Sequence, residues 1–305
     1  MHRGTLIGLG ADGRRVLTAG AVDEPIFPRS SAKPLQAVAM LRCGLVLDGK
    51  LLALAAASHS GEDFHVAGVR EILAAAGLTE DALQCPPSLP MDEPSLYAMI
   101  RCGAPPDRVH MNCSGKHAAM LATCVAAGWP TETYRDPAHP LQAEIRRTIE
   151  RLAGQPVTAA GVDGCGAPLF ALPVSALARA FRSMVLSAPG SPERTVADAM
   201  RTYPDWTSGS TRSERALMDA VPGLMLKSGA EGMEAFALAD GRAGAFKIDD
   251  GAGRARPPLT VALLHALGAA DLPGTDTAAL DRVGLAEVTG GGQRVGEIRA
   301  VLPGH

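Results

Sequence analysis

The chain has no apolar run long enough to cross a membrane. Its longest, Leu51 to Ala57, is seven residues and gives way to Ser-His-Ser-Gly-Glu, against roughly 20 residues for a span. The N-terminus, from Met1 to Gly13, has no uninterrupted apolar stretch and no cleavage pattern behind one, so the expected location is the cytoplasm. A net charge of −3 spread along the chain supplies no field for a polyanion, which excludes nucleic acid as an expected partner. Internal repeats and low-complexity linkers are absent. Disulfides are not needed either, because a chain of 305 residues can bury roughly 75% of its unfolded surface. With no export signal, Cys43, Cys85, Cys102, Cys113, Cys124 and Cys165 read as thiols or metal ligands.

Lysine is scarce. Of the 29 basic residues 24 are arginine, and the five lysines are Lys33, Lys50, Lys116, Lys227 and Lys247. A guanidinium keeps its proton in a protein whereas an ammonium can lose it, so a lysine kept against an arginine bias is a candidate for chemistry.

What is present is an ordinary globular composition, 47% apolar and 20% charged. Thr5–Gly10 and Arg15–Ala19 flank Ala-Asp-Gly and read as a β-hairpin. A buried helix is expected to start near Ser30, with Pro34 in its first turn. Further helices are expected at Leu51–Ala57, His65–Ala76, Ser95–Cys102, His117–Ala127, Leu141–Leu152, Ser175–Met184, Glu193–Met200, Arg212–Ala220 and Pro258–Leu267. Gly223–Lys227, Ala235–Ala239 and Ala243–Ile248 read as an antiparallel meander, and Arg299–Leu302 as a last strand. The glycine cluster at Thr289–Gly292 is weak as a phosphate loop because no apolar helix follows. The expected fold class is α/β (α+β), with an antiparallel sheet assembled from both termini and a helical region inserted between. The chain is expected to be a single compact domain over residues 1–305, sheet-forming over 1–30 and 221–305 and mainly helical over 31–220.

Four segments carry chemistry. Ser30-x-x-Lys33 places a hydroxyl and an amine one helical turn apart, where a neutral lysine can take the serine proton; alone, the four letters read more simply as a capping serine followed by a solvated lysine. Ser58-His59-Ser60-Gly61-Glu62 follows the most apolar helix. Lys227-Ser228-Gly229 ends a strand. Taken in order, the three match the serine β-lactamase series of Ser-x-x-Lys, a serine loop and Lys-Ser/Thr-Gly, which points to serine acyl transfer. The fourth segment, His110 to His117, and Asp163-Gly164-Cys165-Gly166 further on carry Cys113, Lys116 and Cys165. Two thiolates suit Zn²⁺, and a lysine joins them only as a neutral amine; the alternative for the two cysteines is a pair of inert buried thiols.

The blocks Phe27 to Gln36, Ala57 to Glu62, Asn112 to His117, Asp163 to Pro168 and Lys227 to Gly232, in this order, closely resemble the rhizobial-type (class 3) L-asparaginases. The resemblance implies a serine β-lactamase/glutaminase-like fold and hydrolysis of L-asparagine to L-aspartate and ammonia. It implies two pairs, Ser30 with Lys33 and Ser58 with Lys227, and a Zn²⁺ held by Cys113, Lys116 and Cys165. It further implies substrate contacts at His59, Asn112, Ser114, Gly115, His117, Ser228 and Gly229, and a homodimer. By charge, Arg29 suits the substrate α-carboxylate and Asp163 the α-ammonium. Three neighbouring lysine cations are expected to depress one another's pKa, as a lysine base requires. Lys50 and Lys247 are expected at the surface. Family members carry a strand ahead of the residues that stand here as His2-Arg3-Gly4, so the expectation is either a missing edge strand or a misassigned start. Two rivals use the same residues: a penicillin-interacting serine hydrolase, and a catalytically silent sensor that binds asparagine or zinc.

Overall fold

The computed structural model describes residues 1–304. In chain order it contains β1 (Gly4–Leu9), β2 (Arg15–Ala19), β3 (Pro25–Ile26), α1 (Lys33–Arg42), α2 (Gly49–Ala55), α3 (Asp63–Ala75), α4 (Glu93–Arg101), α5 (Ser114–Ala127), α6 (Pro140–Ala153), β4 (Ala160–Val162), β5 (Pro168–Phe170) and β6 (Leu172–Pro173). These are followed by α7 (Val174–Leu186), α8 (Pro192–Thr202), α9 (Pro204–Thr207), α10 (Ser213–Ala220), β7 (Met225–Gly229), β8 (Met233–Ala237), β9 (Ala243–Ile248), α11 (Arg256–Ala266), α12 (Thr277–Gly284), β10 (Ala286–Gly290) and β11 (Gln293–Ile298). The protein is therefore mixed α/β.

The chain divides into two compact units. The first comprises Met1–Ser31, Leu172–Leu186 and Ser213–His305, the second Ala32–Ala171 and Ser187–Arg212. Leu172–Leu186 thus belongs with the sheet, although the sequence reading places it in the central helical part.

In the first unit a five-stranded antiparallel sheet has the order β2-β1-β9-β8-β7. Both chain ends build it: Leu6 pairs with Phe246, and Gly229 at the far edge with Met233. Side chains alternate across a strand. Leu6, Leu226, Phe236 and Phe246 join Leu263 and Leu264 of α11, and Leu267 just after it, in one apolar core. The alternate positions, Ala235, Ala237, Ala243 and Ala245, are small and buried, and α7 packs against β1, β8 and β9.

The C-terminal third differs from expectation. Arg299–Leu302 is not a strand; α12 and the β10–β11 hairpin precede it. The glycine cluster turns that hairpin, with Gly291 and Gly292 at φ 55° and 79°. Most of the hairpin's residues are exposed, so no apolar alternation marked it.

In the second unit, Lys33 through Met40 of α1 are all buried. The start expected near Ser30 is a 3-10 turn over Arg29–Ala32, and α1 proper begins at Lys33 with Pro34 in its first turn. Proline has no N–H, so position 34 cannot make the α-helical bond to the Ser30 carbonyl that a start at Ser30 would need. Glu193 of α8, its side chain 5% exposed, receives Arg42 of α1 at 2.7 Å and Arg151 of α6 at 2.9 Å. One carboxylate ties three helices together, and its two cations offset its burial.

Gly115, expected at the substrate, has a packing role: a Cβ there would lie 2.6 Å from the Leu54 carbonyl oxygen of α2 and 2.8 Å from Leu54 Cγ. Replacing Gly115 by Ala is expected to cost about 1–3 kcal/mol, lowering Tm by roughly 2–8 °C. Gly253, whose Cβ position is open, serves as control, and Gly253→Ala should leave the thermal melt unchanged.

Candidate functional site

In the helical unit the site begins at Lys33, 1% exposed. Its Nζ donates to the Ala57 carbonyl at 2.6 Å and to Ser58 Oγ at 3.0 Å. Ala57 follows the C-terminus of α2, where outward carbonyls and the helix dipole favour a cation. The Ser58 amide donates to the Thr207 carbonyl and the His59 amide to that of Asn112. The resemblance pairs Lys33 with Ser30 and Ser58 with Lys227; within this unit Ser58 meets Lys33.

His59 is fully buried, and its Nε2 lies 2.8 Å from Ser114 Oγ. Ser114 gives its own proton to the Val109 carbonyl at 2.7 Å. Nε2 is therefore the protonated nitrogen, and Nδ1 is left buried without a hydrogen-bond partner. Burial, reinforced by His65 and by the Lys33 cation, holds the imidazole pKa well below its usual value.

A second cluster holds Cys113, Cys165 and Ala167, with Met111 packed against it. Cys113 stands before the first turn of α5, so Lys116 and His117 follow three and four residues later on the same face. Cys165 sits at the tip of the β4–β5 hairpin, where Gly166 holds φ 83°. Lys116 Nζ donates to Cys165 Sγ at 3.1 Å, and Cys113 Sγ lies 2.9 Å from Asn112 Oδ1. Hydrogen bonding between the sulfurs pushes them apart in acidity: Cys113 is held well above an ordinary thiol, and Cys165 far below it with further help from Lys116. Lys116 is raised, because the cysteine sulfurs outweigh its burial. The expected mutual depression of the lysines is not seen there; the nearest strong field on Lys116 is anionic.

His117 donates to or accepts from Tyr134 Oη at 2.6 Å through Nδ1, and burial lowers its pKa to about 4. Asp163 folds back on its own loop, with Oδ1 on the Gly164 amide at 2.9 Å and Oδ2 3.9 Å from Cys165 Sγ. Tyr134 had no signal in residue spacing.

Two sulfurs and one amine nitrogen thus converge in a buried place, a donor set that fits Zn²⁺ once Cys113 and Lys116 give up their protons. Among the described residues no group of three or more His, Cys, Asp or Glu forms a metal site. The lysine nitrogen is what completes this set.

In the sheet unit, β7 carries Lys227, Ser228 and Gly229, all buried. Lys227 Nζ donates to the Ser228 carbonyl at 2.9 Å, and Ser31 Oγ to the Lys227 carbonyl at 3.1 Å. A Cβ on Gly229 would lie 2.7 Å from the Pro28 carbonyl oxygen, so glycine lets the segment carrying Arg29 and Ser30 lie close to β7. Arg29 pairs with Glu231 at 2.8 Å, and both residues hold positive φ, 51° and 63°. Such backbone costs of order 1 kcal/mol or more per residue and gathers at functional sites. Arg29, expected to bind a substrate carboxylate, already holds one of this chain's own. Ser228 Oγ donates to the carboxylate of Glu214, a residue the sequence reading missed.

The sequence profile of L-asparaginase II matches residues 1–300. The chain belongs to the L-asparaginase II family. A comparison with curated proteins finds no match. Among solved structures, this asparaginase-family chain is similar to Mglu in its native form, with 16% identity over 88% of this chain and 63% of that one and a TM-score of 0.45. It is also similar to a β-lactamase from Mycobacterium bovis, with 14% identity, 92% and 95% coverage and a TM-score of 0.41. The chain spans 56% and 63% of the length of two Mglu structures. No helix among the described residues is long and apolar enough to cross a membrane.

The His59 environment fixes a pH dependence. In the unfolded chain the imidazole takes a proton near its ordinary value of 6.5, whereas the folded site resists it until much lower pH. Folding stability is therefore lost as pH falls below about 6.5. Thermal melts at pH 7.5 and 5.5 should show a smaller acid-induced drop for His59→Gln than for the parent; equal drops would assign the acid sensitivity elsewhere.

Proposed function

We propose that this chain hydrolyses the side-chain amide of L-asparagine to L-aspartate and ammonia. The observation that carries the reading is the partly buried Lys33–Ser58 hydrogen bond in a chain of the L-asparaginase II family. A serine hydroxyl becomes nucleophilic when a base takes its proton, and Lys33, the amine in contact, serves as that base once its ammonium has released its own proton. The serine oxygen forms a bond to the amide carbon, and Lys33 passes the proton to the nitrogen. The C–N bond breaks, ammonia leaves and an aspartyl ester remains. Water then attacks the ester with Lys33 again as proton acceptor, freeing aspartate and restoring the hydroxyl.

Ser58 is the nucleophile in the direct form of this scheme. A second reading gives the attack to Ser30, which the 3-10 turn over Arg29–Ala32 sets three residues ahead of Lys33. Zinc would be held by Cys113, Lys116 and Cys165, and when bound supplies a fixed positive charge that anchors and orients the substrate. The family resemblance also supports a homodimer acting on this small molecule in the cytoplasm.

Ammonia release from L-asparagine and L-glutamine, measured side by side, tests the activity. Lys33→Met is expected to lower kcat by about 10²–10⁴-fold; activity near that of the parent would remove Lys33 from the reaction. Acid-quenched mass spectrometry after mixing with an aspartate β-ester should place the aspartyl adduct on the peptide containing Ser58. An adduct on Ser30, lost in Ser30→Ala, selects the second reading. Cys113→Ala is expected to raise KM for L-asparagine more than it lowers kcat, and a complete loss of turnover in folded protein would contradict the positioning role of the metal.

A further inference from the structure

In the helical unit α4 is the exception among the α-helices of the described residues: none of its residues, Glu93–Arg101, is buried. The exposure continues past its end, and from 93 to 108 no residue is buried. This excursion is tied down at its base. The Met91 and Asp92 amides both donate to the Ser60 carbonyl, at 2.7 and 2.8 Å, and Asp92 Oδ2 caps the helix by accepting from the Ser95 amide at 3.0 Å. Ser88 and Asp107 pair through their backbones. A helix of 9 residues is marginal in water on its own, and helices in proteins are normally held by an apolar face packed inward. Here a cap holds the helix, and its largest apolar side chains look outward.

Tyr97 and Ile100 are 55% and 56% exposed. Glu93, Tyr97, Ile100 and Arg101 stand at i, i+4, i+7 and i+8, an arc of about 100° on one side of the helix. The half-buried Ser95, Leu96 and Met99 lie on the other side. A single exposed apolar residue needs no explanation, whereas an aromatic and an isoleucine one turn apart, bracketed by opposite charges, make a patch. Glu93 in the first turn and Arg101 in the last each suit the dipole of their own helix, which accounts for their signs. It does not account for two large apolar side chains held in water between them. Among the described residues neither charge pairs with an opposite charge of its own chain.

The stripe is complementary to itself. Tyr97 lies four residues from Glu93 and four from Arg101. Two copies of α4 laid antiparallel about a two-fold axis at Tyr97 therefore bring Glu93 of each onto Arg101 of the other, about 6 Å along the helix on either side of the axis. Tyr97 and Ile100 of the two copies then cover one another. The same pairing sets the N-terminus of each helix beside the C-terminus of the other, the favourable sense for their dipoles. A parallel pairing sets like charge against like.

We propose that the outer face of α4 is a homodimer interface, with Tyr97 at the two-fold axis and two Glu93–Arg101 pairs fixing the register. The inference rests on the homodimer in the reading above and names the surface that forms it; nothing in it depends on asparagine or zinc. The exposed segment offers 16 residues per copy, fewer than the roughly 20–30 a side of a standard interface, so the dimer is expected to dissociate on dilution.

The test is sedimentation velocity over a dilution series, on the full chain, on Glu93→Arg, on Arg101→Glu and on the two altered chains in equimolar mixture. The parent is expected to sediment as a dimer that gives way to monomer on dilution. Either reversal alone sets like charges against each other twice per dimer and is expected to raise the dimer Kd at least about tenfold. In the mixture each chain meets the opposite sign on its partner, and a dimer of parent-like Kd holding one copy of each is expected to return. A purely structural role for either residue gives no such return, because a chain disturbed by its own substitution is not repaired by another. Tyr97→Asp places two carboxylates at the axis and is expected to weaken the dimer at least as much, with its thermal melt unchanged. A parent that stays monomeric, a dimer that neither reversal weakens, or a mixture that stays monomeric overturns the proposal. The first of these also removes the homodimer, and the second leaves it standing on another face. Ammonia release from L-asparagine by the parent reports separately on the hydrolase reading.

Discussion

An ammonium group taken out of water must find its compensation inside the protein, or the fold fails. Lys33 meets that demand with two oxygens, the Ala57 carbonyl and Ser58 Oγ, and the arrangement of the helical unit follows from it. The cation can reach a carbonyl only where a helix has ended, so α2 stops at Ala55 and the chain turns through Ala57 and Ser58. Once turned, the loop is pinned at successive residues: the Ser58 amide on Thr207, the His59 amide on Asn112, and Ser60 Oγ on Glu62 at 2.6 Å. The turn that carries the Ser58 hydroxyl is thereby fixed by its own backbone bonds.

The same constraint recurs with different chemistry at each buried charge. Lys116 is answered by a sulfur that its own field helps to ionise, Glu193 by two arginines, and Arg256 by two glutamates. In each of these cases the compensating group belongs to the same unit.

The sheet was legible because its strands alternate and because Ala-Asp-Gly and Asp-Gly mark hairpin turns; both ends of the chain were seen to feed it. The β10–β11 hairpin was not, since an exposed two-stranded ribbon has no buried face to write a period into the sequence. The helix expected at Ser30 showed a boundary error with a physical cause, the proline at position 34. Of the site, the residues with unusual chemistry stood out: lysine beside serine, and cysteine beside glycine. Glu214, Arg256 and Tyr134 did not, because a glutamate at a helix start or an arginine before two prolines looks like any surface charge until the fold removes its water. Gly115 has a packing demand that the motif did not signal: the Leu54 carbonyl stands where a side chain would be.

The division between lysine and arginine joins these observations. In a chain with 24 arginines and five lysines, the three lysines of the motifs are the ones almost wholly removed from solvent, at 1%, 1% and 2% exposure for Lys33, Lys116 and Lys227. Lys50 is exposed and stacks over Trp206, while Lys247, expected at the surface, is half-buried on β9. Arginine occupies the buried place where a permanent charge is wanted: Arg256 balances two carboxylates and offers them a fork of donors. A guanidinium at position 33 would be too broad for two oxygens around a single nitrogen, and it would keep its proton. A guanidinium at position 116 could not become a neutral nitrogen donor beside two sulfurs. Codon preference explains arginine wherever any cation serves; it does not explain lysine at three positions almost wholly removed from solvent.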